Sequence, residues 1–126
     1  MSEHEHQAAL FRWAGLACAA LPELRLMYAI PNGGHRHIAV AAKLKAEGVK
    51  PGVPDICLPV PRHNFAGLYI ELKAGKGRAS DAQKWWLASL ADQGYYTTVC
   101  HGWEAAKDVL CGYLGDGIVI NREACH

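Results

Sequence analysis

The fold of this chain is decided by two stretches, Gly52-Val53-Pro54-Asp55-Ile56-Cys57-Leu58 and, after a short connection, Leu68-Tyr69-Ile70-Glu71-Leu72-Lys73. In the second stretch apolar and polar residues alternate with a period of two, which is typical of a β-strand. Side chains two apart on a strand share a face, so Glu71 and Lys73 point the same way. If the two stretches are neighbouring strands, Asp55 converges with them on one spot.

These residue types suit metal-assisted chemistry on a phosphate. Two carboxylates on adjacent strands can hold a hard divalent cation through oxygen ligands. A lysine beside them can orient an attacking water or stabilise phosphate charge. The alternative is an ordinary surface, because Glu-x-Lys is common on exposed strand faces and Pro-Asp alone is a turn signal. The combination of both motifs at this spacing favours a site.

The length of 126 residues fits one domain, which we expect to span 1–126 with a core at about 3–114 and a short tail at 115–126. The hydrophobic content of 51% and charged content of 20% fit a globular chain. No apolar run approaches the ~18 residues that cross a bilayer, and the polar start does not resemble a signal peptide. Five cysteines without a C-x-x-C pair indicate reduced thiols, and most of the seven histidines are expected to be solvated. We therefore expect a cytoplasmic protein without a membrane segment.

Positive charge is concentrated in the middle of the chain. Residues 35–84 hold nine Lys/Arg and four Asp/Glu, a net +5, which leaves −4 for the rest of a chain of net charge +1. A phosphate backbone would be drawn to this segment, although a charged helix face followed by a basic loop is the alternative. The candidate DNA-binding residues are Asn32, Arg36, Lys43, Lys50, Lys76, Arg78 and Lys84.

Periodicity and turn signals predict alternating helices and strands. The predicted ranges are helix 3–21, strand 24–30, helix 37–47, strands 55–60 and 68–73, helix 80–93, strand 95–100, helix 103–114 and a short strand at 118–120. Pro22 ends the first helix, and Pro31-Asn32-Gly33-Gly34 is a strong turn signal. Ser80-Asp81-Ala82-Gln83 fits a capping box that opens the third helix.

Two polar residues have alternative roles that the sequence leaves open. Glu5 lies in the first turn of a helix, where a carboxylate favours the helix dipole, but it could also reach a metal. Gln83 either caps its helix or points into the site. The adjacent Trp85 and Trp86 are expected to pack in the core, with one of them partly exposed, rather than to stack on bases.

With these motifs laid out, the chain resembles a VRR-NUC (virus-type replication-repair nuclease) domain, a branch of the PD-(D/E)XK nuclease superfamily. The matching residues are Glu5-His6-Gln7, Ile30-Pro31-Asn32-Gly33-Gly34, Gly48-Val49-Lys50-Pro51-Gly52-Val53-Pro54-Asp55, Tyr69-Ile70-Glu71-Leu72-Lys73, Ser80-x-x-Gln83 and Gly94-Tyr95. The resemblance implies an α/β, restriction-endonuclease-like fold with a central mixed β-sheet flanked by α-helices.

The resemblance also implies roles for individual residues. Asp55 and Glu71 would bind the catalytic Mg²⁺ or Mn²⁺, Lys73 would position or activate the water, and Gln83 would support the site. The helix-one carboxylate of the family corresponds best to Glu5, since Glu5-His6-Gln7 matches its Glu-x-Gln pattern, with Glu3 as the alternative.

Small members of this family pair as homodimers and favour branched DNA such as four-way (Holliday) junctions. The expected function is therefore a metal-dependent, structure-selective DNA endonuclease of DNA repair, from a bacterium or phage-infected host. The alternative is a DNA-binding module of a replication or repair complex that performs no chemistry. A small α/β enzyme acting on a nucleotide or sugar phosphate is disfavoured, because no nucleotide-binding fingerprint is present.

Overall fold

A computed structural model describes residues 1–31 and 37–115 of the chain. The helices are α1 (Glu3–Ala17), α2 (Ile38–Ala46), α3 (Asp81–Asp92) and α4 (Trp103–Leu114), with a 3₁₀ helix at Pro22–Leu26. The strands are β1 (Tyr28–Ala29), β2 (Ile56–Leu58), β3 (Leu68–Lys73) and β4 (Tyr96–His101). The strand expected at 118–120 lies outside the described residues.

The four strands form one mixed sheet in the order β1-β2-β3-β4. The pairs β1–β2 and β2–β3 are antiparallel, whereas β3 and β4 are parallel. Parallel neighbours need a crossover connection, and α3 supplies it. The predicted α/β fold with a mixed sheet flanked by helices is confirmed.

One face of the sheet, which we call the core face, forms the hydrophobic core. Leu68, Ile70 and Leu72 of β3 are fully buried there, as the alternating pattern predicts. Helices α1 and α4 cover this face, contributing Leu10, Ala14, Leu110 and Tyr113 among others. The Tyr113 hydroxyl donates to the Val60 carbonyl at 2.7 Å, which satisfies the one polar atom of that side chain.

The opposite face, which we call the polar face, carries Asp55, Cys57, Tyr69, Glu71 and Lys73. Helix α3 lies on this side and packs on β4, where the Thr97 hydroxyl donates to the Leu87 carbonyl at 3.1 Å. The interpretation of Glu71 and Lys73 as ordinary surface residues is wrong, since their exposed fractions are only 1% and 8%.

The strand expected at 24–30 is largely wrong. Pro22 begins a 3₁₀ helix that runs to Leu26, and only Tyr28 and Ala29 pair as a strand. The fixed φ of proline suits the first turn of a helix, and the buried side chains Leu24 and Met27 are spaced by three, one 3₁₀ turn, rather than by two. The first helix ends at Ala17, four residues before the predicted end.

The other helices follow the predicted ranges closely, and of these three only α4 contains buried residues. None of the nine residues of α2 is buried in the described structure, and the same holds for α3. The expectation that one tryptophan of the pair is exposed is confirmed, because 64% of Trp85 is exposed whereas Trp86 is half-buried. Core packing of Trp85 is therefore wrong. Among residues 1–31 and 37–115, no helix is long and apolar enough to cross a membrane.

Candidate active site

The strand register brings Asp55 and Glu71 together. Ile56 pairs with Ile70 in the antiparallel β2–β3 ladder, so the preceding Asp55 lies opposite Glu71 on the polar face. One Asp55 oxygen, Oδ2, accepts the Leu72 backbone N–H at 2.8 Å. This bond fixes the Asp55 carboxylate against β3, and the residue as a whole is half-buried.

The two oxygens of the Glu71 carboxylate have different surroundings. Oε2 accepts a hydrogen bond from Gln83 Nε2 at 3.1 Å and lies 3.6 Å from Lys73 Nζ. Oε1 is buried and finds no hydrogen-bond partner among the described residues. A buried oxygen without a donor is costly, and a proton or a cation shared with the adjacent Asp55 carboxyl would satisfy it.

The charges of Asp55, Glu71 and Lys73 also leave room for a cation. Burial, and next the Asp55 carboxylate, raise the pKa of Glu71 to about 8, while Lys73 acts in the opposite sense. One lysine therefore does not compensate the two carboxylates. A further positive charge at this point would allow both carboxylates to ionise at neutral pH.

Gln83 performs both of the roles that its sequence position left open. Its backbone N–H donates to Ser80 Oγ at 3.2 Å, and its Oε1 accepts the Ser80 backbone N–H at 2.8 Å, which completes the capping box of α3. Because Oε1 is engaged by Ser80, the amide nitrogen faces Glu71. The start of α3 is thus tied directly to the carboxylate on β3.

The loop before Asp55 is pressed against the same turn of α3. Gly52 has a φ of +87°, and a Cβ built on it would lie 2.8 Å from Ala82 Cβ. The indole Nε1 of Trp86 donates to the Pro51 carbonyl at 3.1 Å. Any side chain at position 52 would push the loop and α3 apart, so glycine here is needed for the spacing of the site.

The carboxylate pair fits a hard divalent cation such as Mg²⁺ or Mn²⁺. Carboxylate oxygens are the ligands these ions prefer, and the free Glu71 Oε1 and the missing positive charge both match a cation. Within the part of the chain that the structure describes, no group of three or more His, Cys, Asp or Glu side chains is arranged to hold a metal. Two carboxylates suffice for Mg²⁺, which usually keeps several waters and binds substrate phosphates.

The Glu5 carboxylate lies in a capping box of its own rather than with Asp55 and Glu71. Glu5 Oε1 accepts the Ser2 backbone N–H at 2.9 Å, and Ser2 Oγ accepts the Glu5 N–H at 3.1 Å. Hydrogen bonds from Ser2 lower the pKa of Glu5. A metal-binding role for Glu5, or for Glu3, stays a prediction.

Five of the seven candidate DNA-binding residues are described, and all five are exposed: Lys43, Lys50, Lys76, Arg78 and Lys84. Asn32 and Arg36 lie outside the described residues. The loop that carries Lys76 and Arg78 is held at its centre by His101, whose Nε2 donates to the Gly77 carbonyl at 2.8 Å. The basic loop is therefore anchored to the end of β4, beside Lys73 on β3.

Two histidines expected to be solvated have structural roles that the sequence did not reveal. Besides His101, the ring Nδ1 of His6 accepts the Trp103 backbone N–H at 3.2 Å and so caps α4, whose own N-cap residue Gly102 has no side chain. The Gly102 N–H in turn donates to the Lys73 carbonyl at 2.9 Å. Such long-range contacts have no local sequence signal.

Comparison with known proteins agrees with this geometry. Residues 3–104 match the VRR-NUC domain. The chain is 30% identical over 102 residues to the Fanconi-associated nuclease 1 homolog of Schizosaccharomyces pombe (strain 972 / ATCC 24843), covering 77% of this chain but only 14% of that much longer protein. A solved structure of a VRR_NUC domain protein superposes with a TM-score of 0.72 at 29% identity, covering 92% of each chain. The chain therefore belongs to the VRR-NUC family.

Proposed function

We propose that this chain is a metal-dependent DNA endonuclease that hydrolyses phosphodiester bonds and is selective for branched DNA. The observation that carries the proposal is the Glu71 carboxylate, which is buried opposite Asp55, contacted on one oxygen by Lys73 and Gln83, and left without a partner on the other. A non-catalytic domain has no physical need for this costly arrangement. The family, and the name of the S. pombe relative, support nuclease activity.

In the proposed mechanism Asp55 and Glu71 hold a Mg²⁺ or Mn²⁺ ion, and Gln83 keeps the Glu71 carboxylate in place. When bound, the cation supplies Lewis-acid stabilisation of the charge that develops on the phosphate. Lys73 Nζ, held at 3.6 Å from Glu71, orients the attacking water or donates to a phosphate oxygen. Because Lys73 is 8% exposed, its charge acts in a site largely shielded from bulk water.

The exposed basic residues around this site would neutralise the DNA backbone. Lys76 and Arg78 lie on the loop directly after Lys73, and Lys84 follows Gln83 in the first turn of α3. Lys43 and Lys50 lie on or after α2, and Asn32 and Arg36 precede it in sequence. These basic residues precede and follow the carboxylate pair in the sequence. They would attract the phosphate backbone of a DNA strand towards this part of the chain.

Selectivity for four-way junctions and homodimer formation are the finer parts of the proposal. A two-fold dimer would offer two identical sites to a symmetric junction. The support is the resemblance to small VRR-NUC proteins together with exposed apolar side chains such as Ile38 and Val40 on α2, which a second copy would cover. The S. pombe relative is a far longer protein, so its activity and partners are carried over only as part of this proposal.

The test is cleavage of a four-way junction, a flap and a linear duplex of matched sequence, with Mg²⁺ or Mn²⁺, by wild type and by Lys73→Ala. We expect cutting of the branched substrates that requires both the metal and Lys73. Sedimentation of the free protein and of the junction complex measures the dimer in the same preparation.

Binding without cutting under every metal would overturn the proposed catalysis and favour the non-catalytic module. Equal cutting of junction and linear duplex would overturn only the selectivity. Lys107→Ala is the matched control, because it also removes one lysine but lies on α4, which covers the core face of the sheet.

A further inference from the structure

A row of three side chains lies on the polar face beside the carboxylate pair and has no part in the proposed reaction. Tyr28 pairs with Cys57 across β1 and β2, and Cys57 pairs with Tyr69 across β2 and β3. Directly opposite residues share a face, so Tyr28, Cys57 and Tyr69, which we call the tyrosine row, lie on the face that carries Asp55 and Glu71. Helix α3 packs on β4, at the far side of the sheet from Tyr28.

The members of the row differ in exposure. Cys57 is buried between the two tyrosines. Tyr69 is half-buried and contacts Tyr95 edge-on, at a centroid distance of 5.1 Å and an interplanar angle of 78°. Tyr28 lies on the edge strand of the sheet and exposes 49% of its surface. Of the three side chains, Tyr28 is therefore the ring that a ligand can reach.

The charge state of the row suits contact with nucleic acid. Phenols keep their proton at physiological pH, so the row places no negative charge beside a phosphate backbone. Aromatic rings attract bases of any sequence, because every base has a π-face.

Tyr28 lies close enough to the carboxylates for one DNA strand to reach both. Tyr28 pairs with Cys57, which lies two residues from Asp55 on β2. Two residues of β-strand span about 7 Å and neighbouring strands lie about 4.8 Å apart, so the separation of Tyr28 from Asp55 is roughly 8 Å. Bases along one DNA strand are spaced by about 3.4 Å. A DNA strand with a phosphate at the carboxylates would therefore bring a base to Tyr28 within about three nucleotides.

We propose that Tyr28, the exposed ring of the tyrosine row, stacks an unpaired nucleobase next to the phosphate that is cut. A base within a duplex has both faces covered by its neighbours, so only an unpaired or displaced base can reach the ring. This inference rests on the proposed function and deepens it, because it identifies the substrate class as a strand with an unpaired nucleotide beside the cut, as occurs at branch points. Fully paired DNA would lack this contact.

The experiment measures binding of labelled duplexes that contain one unpaired nucleotide, with Ca²⁺ in place of Mg²⁺ to suppress cleavage. The unpaired nucleotide is moved through successive positions, and at each position it carries either a base or an abasic sugar with the same phosphate. We expect wild type to bind the base-containing probe about 10-fold more tightly than the abasic one. Tyr28→Leu abolishes this difference, whereas Tyr28→Phe, which retains the ring, preserves most of it.

Trp85→Ala is the matched control, because it removes an exposed aromatic residue that is not on the sheet, and it should leave the base-over-abasic ratio unchanged. The affinity for the base-containing probe is divided by the affinity for the abasic probe within each variant. Partial unfolding would lower both affinities equally and leave this ratio unchanged. A full ratio in Tyr28→Leu would overturn the inference, as would a ratio of one for wild type at every position. If wild type cleaves DNA but shows a ratio of one at every position, the proposed nuclease function stands and only the stacking inference fails. If wild type neither binds nor cleaves DNA, the proposed function and the stacking inference are both overturned.

Discussion

The two faces of β3 are built from alternate residues of one six-residue strand, yet they have opposite properties. Leu68, Ile70 and Leu72 point into a closed core covered by α1 and α4. Glu71 and Lys73 are almost as deeply buried, but their neighbours are polar groups, the Asp55 carboxylate and the Gln83 amide. One oxygen of Glu71 itself has no donor among the described residues. Burial alone therefore does not distinguish a stabilising residue from a functional one.

The difference teaches how a small domain supports an unfavourable site. Burying apolar side chains on the core face stabilises the fold by about 2 kcal/mol each. Burying Glu71 beside Asp55 opposes folding, as the raised pKa of Glu71 indicates. Each strand residue belongs to one face only, and a slip of one residue in the β2–β3 register would exchange the two sets.

Loss of the charge on Lys73 should produce the largest effect and fall on activity alone. In Lys73→Met the side chain keeps its length, so the fold is retained, but the ammonium that faces the phosphate is lost. We expect single-turnover cleavage to slow by about 10³-fold, the upper range for one electrostatic group. Circular dichroism and the melting temperature should stay close to wild type; a cleavage rate within about 10-fold would refute the assigned role.

Truncation of the neighbouring core residue should lower the stability of the protein and leave its activity nearly unchanged. Ile70→Ala removes a fully buried side chain on the core face and should lower the free energy of unfolding by about 3 kcal/mol in urea denaturation. Single-turnover cleavage well below the melting temperature should remain within about 3-fold of wild type. A large loss of cleavage by folded Ile70→Ala would mean that the two faces are not independent.

Metal binding at the polar face should stabilise the protein independently of core packing. At a Mn²⁺ concentration of 100 times Kd, the unfolding free energy should rise by about 2.7 kcal/mol. Asp55→Asn should abolish this gain, and Ile70→Ala should retain it despite its lower melting temperature. An unchanged gain in Asp55→Asn would place the metal elsewhere.

The pH dependence of stability should report the buried Glu71 in metal-free protein. Its pKa is about 8 when folded, against an ordinary value of 4.5, so the folded state holds the proton more tightly. The resulting stabilisation is complete below about pH 4.5 and is lost as the pH rises through 8. In EDTA, wild type should lose about 5 °C or more of melting temperature relative to Glu71→Gln between pH 5 and pH 9. Parallel curves for the two proteins would contradict the raised pKa.

Glu5→Gln should have the smallest effect. This variant distinguishes a helix-capping role of Glu5 from a metal-binding role. Glutamine can maintain the capping box with Ser2, so stability should change by less than about 0.5 kcal/mol. Because the Glu5 carboxylate caps α1 in this structure, cleavage should stay within about 3-fold of wild type. A loss of 100-fold with normal stability would instead assign Glu5 as a third ligand.

Local patterns in the sequence were sufficient to predict most of this architecture. The alternation at Leu68–Lys73 and the capping box at Ser80–Gln83 each depend on a few adjacent residues, and both match the observed elements. The 24–30 segment was misjudged because alternation over a short apolar run also fits a 3₁₀ turn that starts at Pro22. The exposure of Trp85 depends on which elements pack on α3, which is a tertiary property.

Within the site, the residue types predicted the chemistry but not the contacts. Asp55, Glu71 and Lys73 were identified by spacing, and the register brings them together. The assignment of the two Glu71 oxygens, the dual bonding of Gln83 and the thiol between Tyr28 and Tyr69 depend on distances between elements. The sequence alone does not encode those distances in any local pattern.

Gln83 has a consequence for how this site can evolve. One oxygen of its amide closes the first turn of α3, and the nitrogen of the same amide holds Glu71. A substitution that weakens the site therefore also weakens the start of a helix, and it would be removed by selection for folding even in a lineage that no longer needs the activity. Glutamate at this position is an exception, because it could keep the cap while replacing the donor to Glu71 by a third carboxylate.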